Sequence, residues 1–152
     1  MQMQVNKKIM VIGCGAWGTT LAKVLAENKH DVELYCHESD VSDDINATHS
    51  NSKYLAQVDL PTNLVATMSL EGLRSADVCL LVVPSKFYRA EVKKVLPYLK
   101  SGAILASATK GLEEGSNKTI IEILQDECES QRYQDIVLVS GPNLAKEIAD
   151  KK

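Results

Sequence analysis

Four short runs of apolar residues stand out along the chain, at residues 9–12, 78–83, 103–106 and 136–139. Each run is continuous rather than alternating, which is typical of strands covered on both faces and therefore of a parallel sheet. Parallel strands need crossover connections, and helices usually supply them. Helical spacing of apolar residues follows in three places, namely residues 17–28, residues 86–99 with an interruption at Pro97, and residues 118–128.

Weaker patterns fill the rest of the chain. Val32, Leu34 and Cys36 alternate with polar residues and predict a second strand, and residues 64–67 predict a weaker third one. Residues 39–63 are polar and rich in Asn and Ser, so we expect a short helix and a long loop there. Residues 143–152 begin another helix. The alternation of strands and helices predicts one α/β domain over residues 1–152, with helices on both faces of the sheet.

The residues that follow the first predicted strand read Gly-Cys-Gly-Ala-Trp-Gly, from Gly13 to Gly18. Gly13 permits a tight turn, Gly15 lets a pyrophosphate approach the backbone, and Gly18 lets the helix pack closely on the strand. The N–H groups at the start of the following helix would hold the phosphates. In this context the motif predicts a Rossmann-type, doubly wound, mostly parallel sheet that binds NAD(H) or NADP(H). The alternative is a turn with only a structural role.

The end of the second strand usually carries the group that contacts the adenosine ribose, an acid for a 2′-hydroxyl or a cation for a 2′-phosphate. Here the strand ends in His37 and Glu38. Glu38 can accept a hydrogen bond from a hydroxyl, and His37 can stack on adenine or lend partial positive charge. NAD and NADP therefore both stay open at this stage, as does the reading that both residues are solvated turn residues.

Two further strand ends carry candidate chemistry, because ligands of open α/β sheets bind beyond the carboxyl ends of the strands. Pro84 and Ser85 follow the run at 78–83, where Pro84 would stop the strand and Ser85 would cap the next helix or contact a ligand. Lys110 follows the next strand and could hold a substrate phosphate or carbonyl, although a lone lysine there is usually a surface residue.

The last strand is followed by Ser-Gly-Pro-Asn at residues 140–143. Pro142 suits the first turn of a helix, and Asn143 suits a cap or an early turn. This segment predicts either a second helix start that binds an anion or a plain helix cap.

Composition and charge indicate which classes of partner the protein should lack. A length of 152 residues fits one domain. The net charge of -3 gives no general attraction to nucleic acid, so we expect none as a partner. No long apolar segment and no signal peptide is visible, which predicts a cytoplasmic protein that does not span a membrane. No metal site is predicted, and the cysteines are expected to be reduced core residues: Cys14, Cys36, Cys79 and Cys128.

Taken together, four strings closely resemble the NAD(P)-dependent glycerol-3-phosphate dehydrogenase family in order and spacing over essentially the whole chain. Ala-Thr-Lys-Gly-Leu-Glu, followed about thirty residues later by Ser-Gly-Pro and a helix, is more specific than the glycine motif. The chain departs from the family where Ala56 replaces the proline of Tyr-Leu-Pro, and where no arginine follows the second strand. The strings lie at residues 13–19, 83–85, 108–113 and 140–147.

The resemblance implies hydride exchange between a nicotinamide and the C2 carbon that links sn-glycerol 3-phosphate to dihydroxyacetone phosphate, for glycerophospholipid synthesis. It implies that Lys110 contacts both cofactor and substrate, and that Gly141 and Asn143 line the substrate site. With the glycine motif, the expected cofactor-binding residues are Gly13, Gly15, Ala16, Trp17, Gly18, His37, Tyr54, Phe87, Lys110 and Ala145.

The family carries its proton-transferring lysine and most of its phosphate-binding side chains in a C-terminal helical domain, which we expect beyond Lys152. No catalytic residue is therefore expected within this chain, which by itself should bind cofactor weakly and give no useful turnover. The resemblance also implies that the full-length enzyme is a homodimer. The alternatives are a dehydrogenase for a hydroxyacyl or sugar-acid substrate, a dinucleotide-sensing module, and a methyltransferase that binds S-adenosylmethionine.

Overall fold

The structure is a computed structural model that describes residues 5–128, 133–141 and 143–151. Within those residues six strands form one parallel sheet in the order β5-β2-β1-β6-β7-β8. This is the strand order of a doubly wound dinucleotide-binding fold. The strands of the sheet are β1 (Lys8–Ile12), β2 (Asp31–Tyr35), β5 (Leu64–Thr67), β6 (Val78–Leu81), β7 (Ala103–Ser107) and β8 (Tyr133–Leu138).

Helices cover both faces of the sheet, which confirms the prediction from the continuous apolar runs. Along β1, Ile9 and Val11 point into one apolar core, and Met10 and Ile12 point into the other. A strand that is buried on both sides has no position for a polar side chain, and this explains the uninterrupted run. The helices are α1 (Ala16–Glu27), α2 (Ser39–Thr48), α3 (Ser85–Val95), α4 (Ile120–Glu127) and α5 (Ala145–Ala149).

The prediction of a long loop within residues 39–63 was wrong. After the ten-residue helix α2, two short strands, β3 (Ser50–Asn51) and β4 (Leu55–Asp59), pair antiparallel. Helix α2 buries Val41 and Ile45, which are four residues apart and therefore on one face. The short helix predicted within this segment is therefore confirmed as α2, and only the two paired strands were missed.

Two expected helix caps were also wrong. Helix α3 begins at Ser85 itself with Pro84 in the capping position, and no side chain caps it. Helix α5 begins at Ala145 with Leu144 in the capping position, so Asn143 is not its cap. Pro142, which was expected in the first turn of that helix, lies outside the described residues.

The four cysteines are all buried, as predicted for core residues. Cys14 lies in the glycine turn, Cys36 follows β2, Cys79 lies in β6 and Cys128 follows α4. Among the described helices, none combines the length and the apolar character that crossing a bilayer would require.

Candidate functional site

The glycine turn connects β1 to α1 at the carboxyl edge of the sheet. Gly13 has φ +115°, a conformation that side chains rarely adopt, and a Cβ there would lie 2.2 Å from the carbonyl oxygen of Val82. A Cβ on Gly18 would lie 1.8 Å from the carbonyl oxygen of Gly13. Neither contact is possible, so both positions require glycine for the strand and helix to pack as they do.

Gly15 differs from the other two glycines. Its φ is -66°, which any residue can adopt, and none of the described atoms beyond its chain neighbours lies within 4 Å of where its Cβ would be. The space over this residue is open, and it faces the start of α1. That helix has no side-chain cap and, within its first turn, no acidic residue. Its N–H groups and the positive end of its dipole are therefore available to an anion.

Asn51 holds the glycine turn in place, a role that the sequence reading missed. Its side chain is fully buried, and Nδ2 donates to the carbonyl oxygen of Cys14 at 2.9 Å and to Oγ1 of Thr19 at 2.8 Å. Its Oδ1 accepts a hydrogen bond from the backbone N–H of Tyr54 at 3.1 Å. The β3–β4 hairpin is therefore fixed to the turn, and with it the loop that carries Tyr54.

A cavity of about 460 Å³ opens beside the glycine turn. Four of the predicted cofactor residues line it: Gly13, His37, Tyr54 and Phe87. Phe87 is 52% exposed and Tyr54 is 39% exposed, so both aromatic rings are accessible from the cavity. The structure thus brings the end of β2, the hairpin loop and the start of α3 together, as a cleft for a flat ring would require.

Glu38 lies at the rim of this cleft and is bound by two neighbours. The Lys53 ammonium forms an ion pair with Glu38, and the Tyr54 hydroxyl donates to its Oε1 at 2.6 Å. These contacts lower the pKa of the Glu38 carboxyl below its ordinary value, the Lys53 hydrogen bond having the larger effect, and raise the pKa of the Lys53 ammonium. The predicted candidate His37 is itself exposed, with Nε2 3.8 Å from Glu38.

A second cavity, of about 600 Å³, lies at the carboxyl ends of β7 and β8. Lys110 and Ser140 line it, and Nζ of Lys110 donates to the carbonyl oxygen of Gly141 at 2.7 Å. The Asn143 side chain lies close to Gly141, since its Nδ2 would be 3.1 Å from a Cβ at that glycine. The three predicted substrate residues are therefore grouped together.

Thr109 connects the two cavities. Its Oγ1 donates to the carbonyl oxygen of Val83 at 2.9 Å and accepts from the Val83 N–H at 3.1 Å. Val83 lines the first cavity and Thr109 lines the second, so the two adjoin along the edge of the sheet. The sequence reading took the threonine only as a neighbour of Lys110 and missed this link.

The remaining predicted positions lie on α1 or against it. Ala16 and Trp17 are its first two residues, and the carbonyl oxygen of Ala145 accepts a hydrogen bond from Thr20 Oγ1 at 3.2 Å. Ala145 therefore lies beside α1 and is not brought into the first cavity.

Within residues 5–128, 133–141 and 143–151, no group of three or more His, Cys, Asp or Glu side chains is arranged to hold a metal ion.

The loop after Lys110 is anchored by a charged cluster. Nε and Nη2 of Arg89 donate to the two carboxylate oxygens of Glu113 at 2.6 and 2.7 Å, and Nη2 also donates to Asp126 on α4 at 3.1 Å. The guanidinium lowers the pKa of the Glu113 carboxyl from 4.5 to about 2. This cluster joins α3, α4 and the loop, and so fixes one wall of the second cavity.

Known proteins resemble this chain in sequence and in fold. Residues 8–152 match the family described as NAD-dependent glycerol-3-phosphate dehydrogenase N-terminus. The chain belongs to this family. Among curated relatives, the glycerol-3-phosphate dehydrogenase (NAD(P)+) of Bacillus thuringiensis (strain Al Hakam) is 42% identical over 142 residues, which cover 93% of this chain and 42% of the relative.

Solved structures agree with the assignment. The glycerol-3-phosphate dehydrogenase of Coxiella burnetii superposes with a TM-score of 0.84 at 32% identity, over 95% of this chain and 44% of that one. The enzyme of Saccharomyces cerevisiae gives 0.81 at 29% identity, over 97% of this chain and 45% of that one. This chain of the glycerol-3-phosphate dehydrogenase family therefore spans less than half the length of these relatives.

Proposed function

We propose that the chain binds NAD(H) or NADP(H) along the carboxyl edge of its sheet, as the cofactor-binding part of a glycerol-3-phosphate dehydrogenase. The pyrophosphate lies over Gly15 at the start of α1, and the adenosine occupies the cavity of about 460 Å³. The nicotinamide end extends toward the cavity that Lys110 lines. The uncapped start of α1 beneath open space at Gly15 carries the proposal, because a helix start without a side-chain cap is suited to a phosphate.

Each group of residues has a separate task in this proposal. The α1 N–H groups hold the pyrophosphate, His37, Tyr54 and Phe87 enclose the adenosine, and Ala16 and Trp17 present the helix start. A bound nicotinamide supplies or takes up the hydride that interconverts dihydroxyacetone phosphate and sn-glycerol 3-phosphate. Thr109 fixes the ends of β6 and β7 relative to each other through Val83, and so sets the relative position of the two cavities.

Lys110, Gly141 and Asn143 are the residues of this chain that we propose for the substrate. The Lys110 ammonium is exposed, and its one described hydrogen bond is to the carbonyl oxygen of Gly141. It can exchange that neutral acceptor for a phosphate or carbonyl oxygen of the substrate, and the attraction to an anion is stronger. We also propose that proton transfer at the substrate oxygen belongs to residues outside this chain, as the family resemblance implies.

The binding step is tested with two alanine variants of this chain. Gly15→Ala should fold normally, since its methyl group enters open space, but should bind NADH on the order of tenfold or more weakly, because that group blocks the approach of the pyrophosphate. Ser101→Ala, in an exposed turn before β7, is the matched control. The measurement is NADH titration followed by the fluorescence of the single tryptophan, Trp17. Equal affinity for NADH in Gly15→Ala and wild type would overturn the proposed phosphate site.

Turnover is tested separately. We expect no useful oxidation of NADH when the chain is mixed with dihydroxyacetone phosphate, since the groups that orient the substrate and move its proton are proposed to lie elsewhere. Absorbance at the nicotinamide band reports the result. Rapid, saturable oxidation would contradict the assignment of the proton-transferring group.

We propose the wider setting from the family and from composition. The partners are the two small phosphorylated substrates, without nucleic acid or membrane, and the full-length enzyme is a cytoplasmic homodimer that supplies glycerophospholipid synthesis. A net charge of -3 supports the exclusion of nucleic acid. Sedimentation of the full-length enzyme tests the dimer, and a single-subunit mass would contradict it.

A further inference from the structure

A cluster of charged side chains lies at the rim of the cavity of about 460 Å³, where the end of β2 meets the loop of the β3–β4 hairpin. The Lys53 ammonium pairs with the Glu38 carboxylate and lies 3.7 Å from Oδ2 of Asp40. Among the residues that the structure describes, no other lysine or arginine pairs with either acid. With histidine neutral, two carboxylates share one ammonium, so the cluster keeps a net negative charge at neutral pH.

Glu38 keeps acceptor sites that a ligand can reach. Its Oε1 accepts a hydrogen bond from the Tyr54 hydroxyl at 2.6 Å, and its Oε2 accepts one from Lys53. An ionised carboxylate offers about four lone-pair sites, so these two bonds leave about two sites open. The Glu38 side chain is 22% exposed, so a ligand hydroxyl can approach it. Lys53 and Tyr54 thus hold the carboxylate in place without exhausting its capacity to accept hydrogen bonds.

The end of β2 lies beside the glycine turn, which places Glu38 near the ribose of a bound dinucleotide. The backbone N–H of Gly13 donates to the carbonyl oxygen of Tyr35 at 3.2 Å, so the turn and the strand end adjoin. In the proposed binding mode the pyrophosphate lies over Gly15 and the adenosine occupies the cavity that Tyr54 lines. The ribose joins adenine to pyrophosphate and therefore lies between these two residues. Its 2′ position is then the part of the dinucleotide nearest to the charged cluster.

Resting on the proposed dinucleotide function, we infer that the cluster of Glu38, Asp40 and Lys53 makes the chain selective for NADH over NADPH. Glu38 can accept a hydrogen bond from the 2′-hydroxyl, which NADH has and NADPH lacks. The 2′-phosphate of NADPH carries a charge of about -1.5 to -2 and meets a cluster that is itself negative. Lys53 lessens this repulsion, but two acids already share its charge. Glu38 is therefore a specificity residue, and Lys53 is the positioning residue that holds it.

The test measures the ratio of the Kd of NADPH to the Kd of NADH by Trp17 fluorescence, since both ligands carry the same reduced nicotinamide. We expect the wild type to bind NADPH on the order of tenfold more weakly than NADH. In Glu38→Gln the amide still accepts from the 2′-hydroxyl, and Lys53 becomes free to pair with the phosphate, so the ratio should fall to about one or below. In Lys53→Met the attraction to the phosphate is lost, so the ratio should rise about threefold. A merely structural effect would weaken both ligands equally.

Glu71→Gln is the matched control. Glu71 is an exposed glutamate that pairs with Arg74 at 2.7 Å and lines neither cavity, so this variant should keep the wild-type ratio. A second measurement needs no variant. Raising the salt concentration from about 0.1 M to about 1 M shortens the screening length from about 10 Å to about 3 Å, and should move the wild-type ratio toward one.

The outcomes separate this inference from the proposed function. Equal binding of NADH and NADPH by the wild type overturns the selectivity assigned to the cluster and leaves the proposed function intact. A ratio that survives Glu38→Gln, does not rise in Lys53→Met, or does not respond to salt has the same meaning. Failure of the wild type to bind either dinucleotide overturns the proposed function itself.

Discussion

The shape of the proposed phosphate site depends on single side chains at the carboxyl edge of the sheet. Asn51 contributes most, because it hydrogen-bonds both the glycine turn and the loop that carries Tyr54. It is the fully buried amide that satisfies the carbonyl oxygen of Cys14 inside the glycine turn. We expect Asn51→Ala to destabilise the fold by about 1–3 kcal/mol, because it leaves buried polar groups unpaired. It should also weaken NADH binding, since the turn loses its link to the hairpin. Chemical denaturation and NADH titration measure the two effects.

Asn46→Ala separates the loss of binding from a general loss of stability. Asn46 makes two comparable hydrogen bonds, both at 2.9 Å and both to the backbone of Ala66 on β5, away from the glycine turn. The Asn46→Ala variant should therefore have a lower free energy of unfolding than the wild type but the same affinity for NADH. If Asn51→Ala binds NADH as the wild type does under conditions where both are folded, the clamping role of Asn51 is wrong.

Site residues could be predicted from the sequence at positions where the backbone geometry allows only one residue type. Gly13 and Gly18 are fixed by contacts that a Cβ would make impossible, so the motif alone identifies them. Asn51 and Thr109 were missed because each acts through a hydrogen-bond partner that is far away along the chain. An asparagine in a polar stretch shows no periodicity that would reveal that it contacts a turn 37 residues earlier.

Among the elements, the strands and helices of the sheet were predicted more successfully than the segment between α2 and β5. Buried parallel strands leave long apolar runs, and α4 begins with a capping box of Thr119 and Glu122 close to the expected start. The β3–β4 hairpin was missed because its strands are very short and because β4 buries Leu55 and Val58, three residues apart, and so lacks the alternation of a half-buried strand. How closely α2 and β5 approach each other, and therefore how the chain between them must run, depends on the tertiary fold and leaves no local pattern in the sequence.

The charged cluster of Arg89, Glu113 and Asp126 joins α3 to α4. We therefore predict that its contribution to the stability of the fold depends on pH. The folded-state pKa of Glu113 is depressed to about 2, chiefly by Arg89, so the contribution of this pair is present above the ordinary value of 4.5 and is lost as pH falls toward 2. We expect Arg89→Gln to be less stable than wild type near neutral pH, and the difference in melting temperature to shrink below pH 4.5.

Arg74→Gln is the control for that series. Arg74 pairs with Glu71 on an exposed 3₁₀ turn, where both side chains are more than half exposed, and such pairs contribute little. Its melting temperature should follow that of the wild type at every pH. A constant difference between Arg89→Gln and wild type from pH 7 to pH 3 would show that the guanidinium acts through packing and not through the charge of Glu113.

The whole molecule consists of two apolar cores that share one sheet, so ligand binding on its edge should stabilise both. Cys36 belongs to the core under α1, and Cys128 belongs to the core under α3 and α4. The hydrogen bond with Cys14 and burial raise the pKa of the Cys36 thiol, and burial raises the pKa of the Cys128 thiol to about 11, so thiolates at these two sites are scarce in the native protein and labelling must proceed through unfolding. At NADH concentrations of about 100 times Kd, labelling of both cores should slow about 100-fold.

Mass spectrometry after a pulse of a thiol reagent resolves Cys36 and Cys128 in one experiment. Equal slowing at the two sites is expected because β1 contributes side chains to both cores, so neither core can open fully while the glycine turn holds a ligand. Protection of Cys36 with unchanged labelling of Cys128 would show that α4 opens independently of the dinucleotide site. In that case the wall of the Lys110 cavity would be a separate unit, and the ends of the dinucleotide would be bound by parts of differing stability.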